Sequence, residues 1–130
     1  MTEVFVFGSN KQGRHGSGAA LHARKKYGAV YGTGIGHTGD AYGIPTKSDP
    51  YTTLTLMEID EYVGVFLMYA VAHPELTFRV TRVGCGLAGY TDSDIAPMFR
   101  NAPDNCILPK GWSESHDMRG LSWAWGETGP

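Results

Sequence analysis

The same local pattern occurs twice in this chain: an apolar strand runs into a glycine-rich loop, and a helix follows. The first unit begins with the continuous apolar run at residues 4–7, which is typical of a strand buried on both faces of a mostly parallel sheet. The second begins with the strand-like residues 78–83. In α/β proteins, phosphate groups are often bound by a glycine-rich loop that connects a strand to the N-terminus of a helix. The pattern therefore predicts an α/β fold with both loops facing one cleft.

Each loop is defined by glycines, which permit positive φ angles and a close approach of the backbone to a ligand. The first loop follows its strand and leads into a helix from about residue 17 that stops at Tyr27-Gly28. The second leads into a helix at about residues 92–100, with N-cap candidates at residues 91–94. The residues of these loops that we predict to contact a ligand are Gly8, Ser9, Asn10, Gly16, Ser17, Gly18 and Ala19 in the first, and Gly84, Cys85, Gly86, Leu87, Ala88, Gly89 and Tyr90 in the second.

The remaining segments continue the alternation of strands and helices. Residues 29–31, 41–44 and 105–108 read as strands, and residues 32–39 as a glycine-rich loop. Thr55 and Glu58 form a capping box that opens a strongly periodic helix. This order predicts a three-layer α/β/α domain with a mostly parallel sheet.

Composition limits the partners and the compartment. At 130 residues with a net charge of -2, the chain is expected to form one domain without a general basic surface for duplex nucleic acid. Two cysteines fit neither a disulfide framework nor zinc spacing, and we expect no metal and no cofactor. With no signal peptide and no membrane-spanning run, the expectation is a soluble, cytoplasmic protein. We assign residues 1–109 to the domain and 110–130, which carry all three tryptophans, to a tail.

Three motifs in order resemble the macro domain family. Residues 16–21 with 25–28 are similar to its G-x-G-x-A helix start and K-K-[FY]-G helix end, residues 44–47 to its PTK strand end, and residues 83–89 to its I-G-C-G-L-G-G loop. The match is to a shortened form, closest to the branch that includes the DarG antitoxin and the terminal ADP-ribose protein glycohydrolase. It covers roughly residues 4–108.

The resemblance implies a macro domain-like fold that binds ADP-ribose, or a related nucleotide diphosphate-ribose, between the two loops. It implies that Asn10 contacts the distal ribose and that Thr46 belongs to the ligand-binding set. Lys47 would be the catalytic residue, attacking the anomeric carbon to release ADP-ribose from a modified macromolecule. Two departures stand out: the Asp that contacts adenine has no counterpart, and Ala88 stands where a relative carries an acid.

Other interpretations of the same residues stay open. Cys85 lies between glycines, but no His or Asn motif supports a nucleophile there. His15 and His37 lie in loops, either solvated or touching ligand. The alternatives to an enzyme are a non-enzymatic protein that sequesters a nucleotide, with the tail as a lid, and a protein-interaction module whose glycine loops are only turns.

Overall fold

A computed structural model describes residues 3–112 of the chain. Within that range the strands are β1 (Glu3–Asn10), β2 (Gly36–Thr38), β3 (Ala41–Asp49), β4 (Thr52–Thr53), β5 (Thr77–Val80) and β6 (Cys106–Ile107). The helices are α1 (Gly18–Lys26), α2 (Leu56–Ala72) and α3 (Asp92–Ile95), the last continued by a 3₁₀ turn at Ala96–Phe99.

The six strands form one mixed sheet whose centre is parallel. Its order is β2-β3-β1-β5-β6, and β4 pairs with β3. β1 is parallel to both β3 and β5, and β5 is parallel to β6, whereas β2 and β4 run antiparallel to β3. The predicted α/β fold with a mostly parallel sheet is therefore confirmed, and the carboxyl ends of β1 and β5 meet at one edge of the sheet.

Helices cover both faces of the sheet because β1 alternates its apolar side chains between two cores. Val4 and Val6 belong to a core that includes residues of α2 and Phe99 of the 3₁₀ turn. Phe5 and Phe7 belong to a smaller core with Ala23 of α1. Among residues 3–112, α1 therefore packs on one face of the sheet and α2 with the 3₁₀ turn on the other.

Several predicted boundaries are wrong. Residues 29–31 form no strand, and β2 lies within the stretch that we predicted to be loop. β3 does not end at Pro45 as predicted but continues to Asp49. Pro45 lacks an N–H for the sheet, and this is tolerated because the register of β1 against β3 shifts next to it, between Ser9 and Asn10. α3 lasts one turn before the chain tightens into the 3₁₀ turn containing Pro97. The capping box of Thr55 and Glu58 is present as predicted.

The packed chain extends past the predicted boundary at residue 109. Trp112 is buried in the larger core, where its ring lies 5.2 Å from that of Phe99. The rest of the predicted tail, with Trp123 and Trp125, lies outside the described residues. Among residues 3–112, no helix combines the length and the apolar character that crossing a membrane requires.

Candidate functional site

A cleft of about 430 Å³ lies at the edge of the sheet where β1 and β5 end. This volume is within the range of small-molecule sites. Both glycine loops and the end of β3 line it, as the sequence predicted. The lining residues are Gly8, Ser9, Asn10, Arg14, Gly16, Ser17, Gly18, Ala19, Ala20, Thr46, Lys47, Pro50, Arg82, Val83, Gly84, Gly86, Leu87 and Ala88.

Three predicted ligand-binding residues do not line the cleft, because the second loop curls back on itself. The Gly89 N–H donates to the Gly86 carbonyl (3.0 Å), and the Tyr90 hydroxyl donates to the Leu54 carbonyl (2.6 Å). Cys85 is half-buried, and burial together with the carboxylate of Asp92 raises the pKa of its thiol to about 12. At neutral pH this thiol stays protonated, so the structure gives no support to Cys85 as a nucleophile.

The charged residues of the lining are all basic. Arg14, Lys47 and Arg82 contribute to it, and no Asp or Glu does. Neither Arg14 nor Arg82 is among the ligand-binding residues predicted from the sequence. The position of Arg14 within the first glycine loop could have indicated a contact with ligand. Arg82 precedes the second glycine loop, in a segment that the sequence pattern predicts to be a strand, so nothing indicated its place at the cleft. A chain with a net charge of -2 thus concentrates positive charge in this cleft.

Asn10 shapes the first loop with its side-chain amide. Its Nδ2 donates to the Arg14 carbonyl (3.0 Å), and its Oδ1 accepts from the Arg14 N–H (3.1 Å). Asn10 is buried, and these two bonds fold the chain so that Arg14 reaches the cleft. An amide has a second donor hydrogen and a second lone pair, so the geometry leaves capacity for a ligand contact.

The N-terminus of α1 faces the cleft with its backbone donors. Ser17 is the N-cap residue, yet its side chain makes no capping hydrogen bond, and the first turn contains no acidic residue. The first N–H groups of a helix have no partners within the helix and carry partial positive charge. Since Gly18, Ala19 and Ala20 line the cleft, these donors are placed to receive an anion.

Lys47 lies between the two loops, on the part of β3 that follows the register shift. Its Cα pairs with that of Asn10, and its Nζ donates to the Pro50 carbonyl (3.3 Å). The neighbouring Thr46 is buried and its hydroxyl donates to the Ser9 carbonyl (3.3 Å). The β3 end therefore positions one primary amine at the cleft and ties the strand to the first loop.

Neither loop histidine lines the cleft, and only His15 is buried away from solvent. His37 bonds through Nδ1 to the Tyr69 hydroxyl (2.6 Å). His15 is fully buried, with its ring packed edge-on against those of Phe7 (5.4 Å) and Tyr31 (6.1 Å). Burial lowers the pKa of the His15 imidazole. An interaction with the Thr33 backbone raises this pKa, whereas the positive charge of Arg24 lowers it further, and the net shift is downward. His15 thus anchors the first loop in the neutral form.

This burial predicts that the fold loses stability as pH falls. Below an unfolded pKa of about 6.5, the unfolded chain binds a proton at His15 that the folded chain does not, so stability decreases with falling pH. His15→Phe removes this contribution. Urea unfolding at pH 7.5 and pH 5.0 should show a smaller loss of stability for this variant than for the wild type. An equal loss in both proteins would contradict the assignment.

Within residues 3–112, no group of three or more His, Cys, Asp or Glu side chains is placed to hold a metal ion. Comparison with protein-family models, with curated proteins and with solved structures finds no match to this chain.

Proposed function

We propose that the chain is a small macro domain-like protein that binds ADP-ribose, or a related nucleotide diphosphate-ribose, in the cleft between its two glycine loops. The proposal is supported by the three motifs of the sequence and by an α/β arrangement in which some residues of each motif line one cleft.

The observation that carries the proposal is the composition of the lining. Backbone of five glycines, the uncapped start of α1 and the basic residues Arg14 and Lys47 line a space with no carboxylate, and the charge of Arg82, which also contributes to the lining, is paired with Asp92. A diphosphate needs several N–H donors and a compensating positive charge, and glycine backbone lets it approach closely. Apolar side chains such as Leu87 and Val83 supply the walls that sugar or base groups contact.

We propose hydrolysis as a second, separately tested step, with Lys47 as its nucleophile. The lone pair of Nζ attacks the anomeric carbon of the distal ribose and forms a C–N bond, while the bond from that carbon to the modified group breaks. Water then releases ADP-ribose and restores the amine. The attack requires a neutral amine, and the proton that Nζ loses on bonding to carbon passes to the departing atom of the modified group.

Replacing Lys47 separates the two steps. For Lys47→Ala we expect release of ADP-ribose from a modified protein or nucleic acid to disappear, whereas the affinity for free ADP-ribose falls only about tenfold, the effect of removing one cation. Lys11→Ala is the matched control, since Lys11 lies beside the first loop with its Nζ over the Tyr62 ring, outside the lining. If the wild type releases no ADP-ribose from either substrate, the hydrolysis step is wrong and binding alone stands.

One observation favours the non-enzymatic alternative, a protein that sequesters the nucleotide. The lining contains no carboxylate and no histidine to accept the proton of Lys47. Ala88 lines the cleft where a relative has an acid. Binding is therefore the better-supported half, and a wild type that binds ADP-ribose tightly without turnover would establish sequestration.

A further inference from the structure

The second glycine loop is closed at its base by an ion pair. Arg82 precedes the loop and Asp92 follows it, and the Arg82 Nη1 contacts the Asp92 Oδ1. Two groups from the end of the described chain join this pair. The Lys110 carbonyl accepts from the Arg82 Nη2 (2.9 Å), and the Trp112 indole N–H donates to the Asp92 Oδ1 (2.9 Å).

Asp92 is not needed for capping α3. Asp94 performs that role, because its Oδ2 accepts from the backbone N–H of Thr91 (3.0 Å) in a capping box. The carboxylate of Asp92 is instead turned toward Arg82 and Trp112. Burial alone would raise the pKa of Asp92, but the hydrogen bonds from Trp112 and Arg82 and the charge of Arg82 outweigh it and lower the pKa. The ion pair is therefore intact at neutral pH.

The pair matters to the cleft because Arg82 is nearly buried. Its side chain is 10% exposed, that of Asp92 is 53% exposed, and Trp112 is buried. A buried guanidinium that loses its carboxylate must find solvent or another partner, and either requires the backbone at the base of the loop to move. Val83, Gly84, Gly86, Leu87 and Ala88 follow directly and line the cleft.

We propose that Asp92 is the positioning residue of the cleft. By holding Arg82 and Trp112 together, it fixes the second glycine loop in its ligand-ready form and couples residues 110–112 to ligand affinity. This inference rests on the proposed function, since it concerns the same cleft. Residues 110–112 would then influence ligand affinity although they do not contact the ligand.

The test compares Asp92→Asn with Asp94→Asn in the full chain. Each removes one carboxylate next to the second loop, but only the first removes the partner of Arg82. We expect Asp92→Asn to weaken the calorimetric affinity for ADP-ribose by about tenfold or more and to lower the melting temperature, and Asp94→Asn to leave that affinity unchanged. Equal effects of the two variants on affinity would overturn the proposal.

Hydrogen exchange provides a readout that needs no ligand. The N–H groups of Cys85, Gly89 and Tyr90 donate within the loop segment, to Arg82, Gly86 and Gly84 respectively. In Asp92→Asn these amides should exchange about tenfold faster or more, while α2 keeps its protection. Unchanged exchange at residues 85–90 would overturn the positioning role. If the wild type fails to bind ADP-ribose, the proposed function fails, and the exchange experiment still decides whether Asp92 positions the loop.

Discussion

Gly86→Glu is expected to abolish ADP-ribose binding while the protein stays folded. A side chain at Gly86 meets no atom within 4 Å, and this residue does not adopt a positive φ, so the substitution adds no strain to the chain. Because Gly86 lines the cleft, the new carboxylate would add a negative charge to a lining that includes Arg14 and Lys47. It would occupy the place of an anion and pair with its cations. We expect the loss in affinity to exceed about a hundredfold, since the ligand would meet both a steric block and a like charge.

Gly64→Glu is the matched control for this experiment. Gly64 is an exposed residue in the middle of α2, does not line the cleft, and likewise has no atom within 4 Å of an added Cβ. The change in net charge is the same, so a general electrostatic effect would appear in both variants. Calorimetric titration should show wild-type affinity for Gly64→Glu and no measurable heat for Gly86→Glu. An unchanged affinity of Gly86→Glu for ADP-ribose would show that this cleft is not the binding site.

Gly34→Ala is expected to cause a large loss of stability. Its Cβ would lie 1.9 Å from the carbonyl oxygen of Asn10, a backbone atom that cannot move aside like a flexible side chain. The Gly34 carbonyl also accepts the hydroxyl of Ser9. Relieving the clash therefore pulls apart the two segments that support the first loop. We expect a loss of about 3 kcal/mol or more in the free energy of unfolding, the upper end for overpacking.

Gly64→Ala serves as the control for Gly34→Ala. Alanine replaces glycine in an exposed helix interior there, and this should stabilise the protein by about 0.5–1 kcal/mol. The two substitutions are chemically identical and predicted to have opposite signs in a urea melt. A loss below about 1 kcal/mol for Gly34→Ala would show that the loops at residues 8–16 and 32–36 do not pack as described.

What the sequence predicted well was local. The order of strand, glycine-rich segment and helix in both units and the capping box of Thr55 depend on neighbours in sequence, so residue types and spacing suffice to predict them, although β1 continues to Asn10 and β5 ends at Val80. Thr46 and Lys47, which the resemblance to the macro domain family assigned to the site, line the cleft.

What the sequence did not predict depends on contacts between distant residues. β2 exists because Gly36–Thr38 pair with β3, which outweighs the local preference of a glycine-rich stretch for loop. The bonds from the Asn10 amide to the backbone of Arg14, which shape the first loop, are visible only in the folded chain. The grouping of Arg82, Asp92 and Trp112 spans about thirty residues, and no periodicity indicates it.

Calorimetric titration of the full chain with ADP-ribose tests the central claim most directly, with adenosine titrated in parallel. If the cleft is a diphosphate site, ADP-ribose should bind with one-to-one stoichiometry. At a ligand concentration of about 100 times Kd it should add about 2.7 kcal/mol to the free energy of unfolding, which raises the melting temperature. Adenosine, which lacks phosphate, should bind at least about a hundredfold more weakly, because it cannot use the basic lining. Absence of heat and of any thermal shift with millimolar ADP-ribose would contradict the account, as would equal affinities for the two ligands.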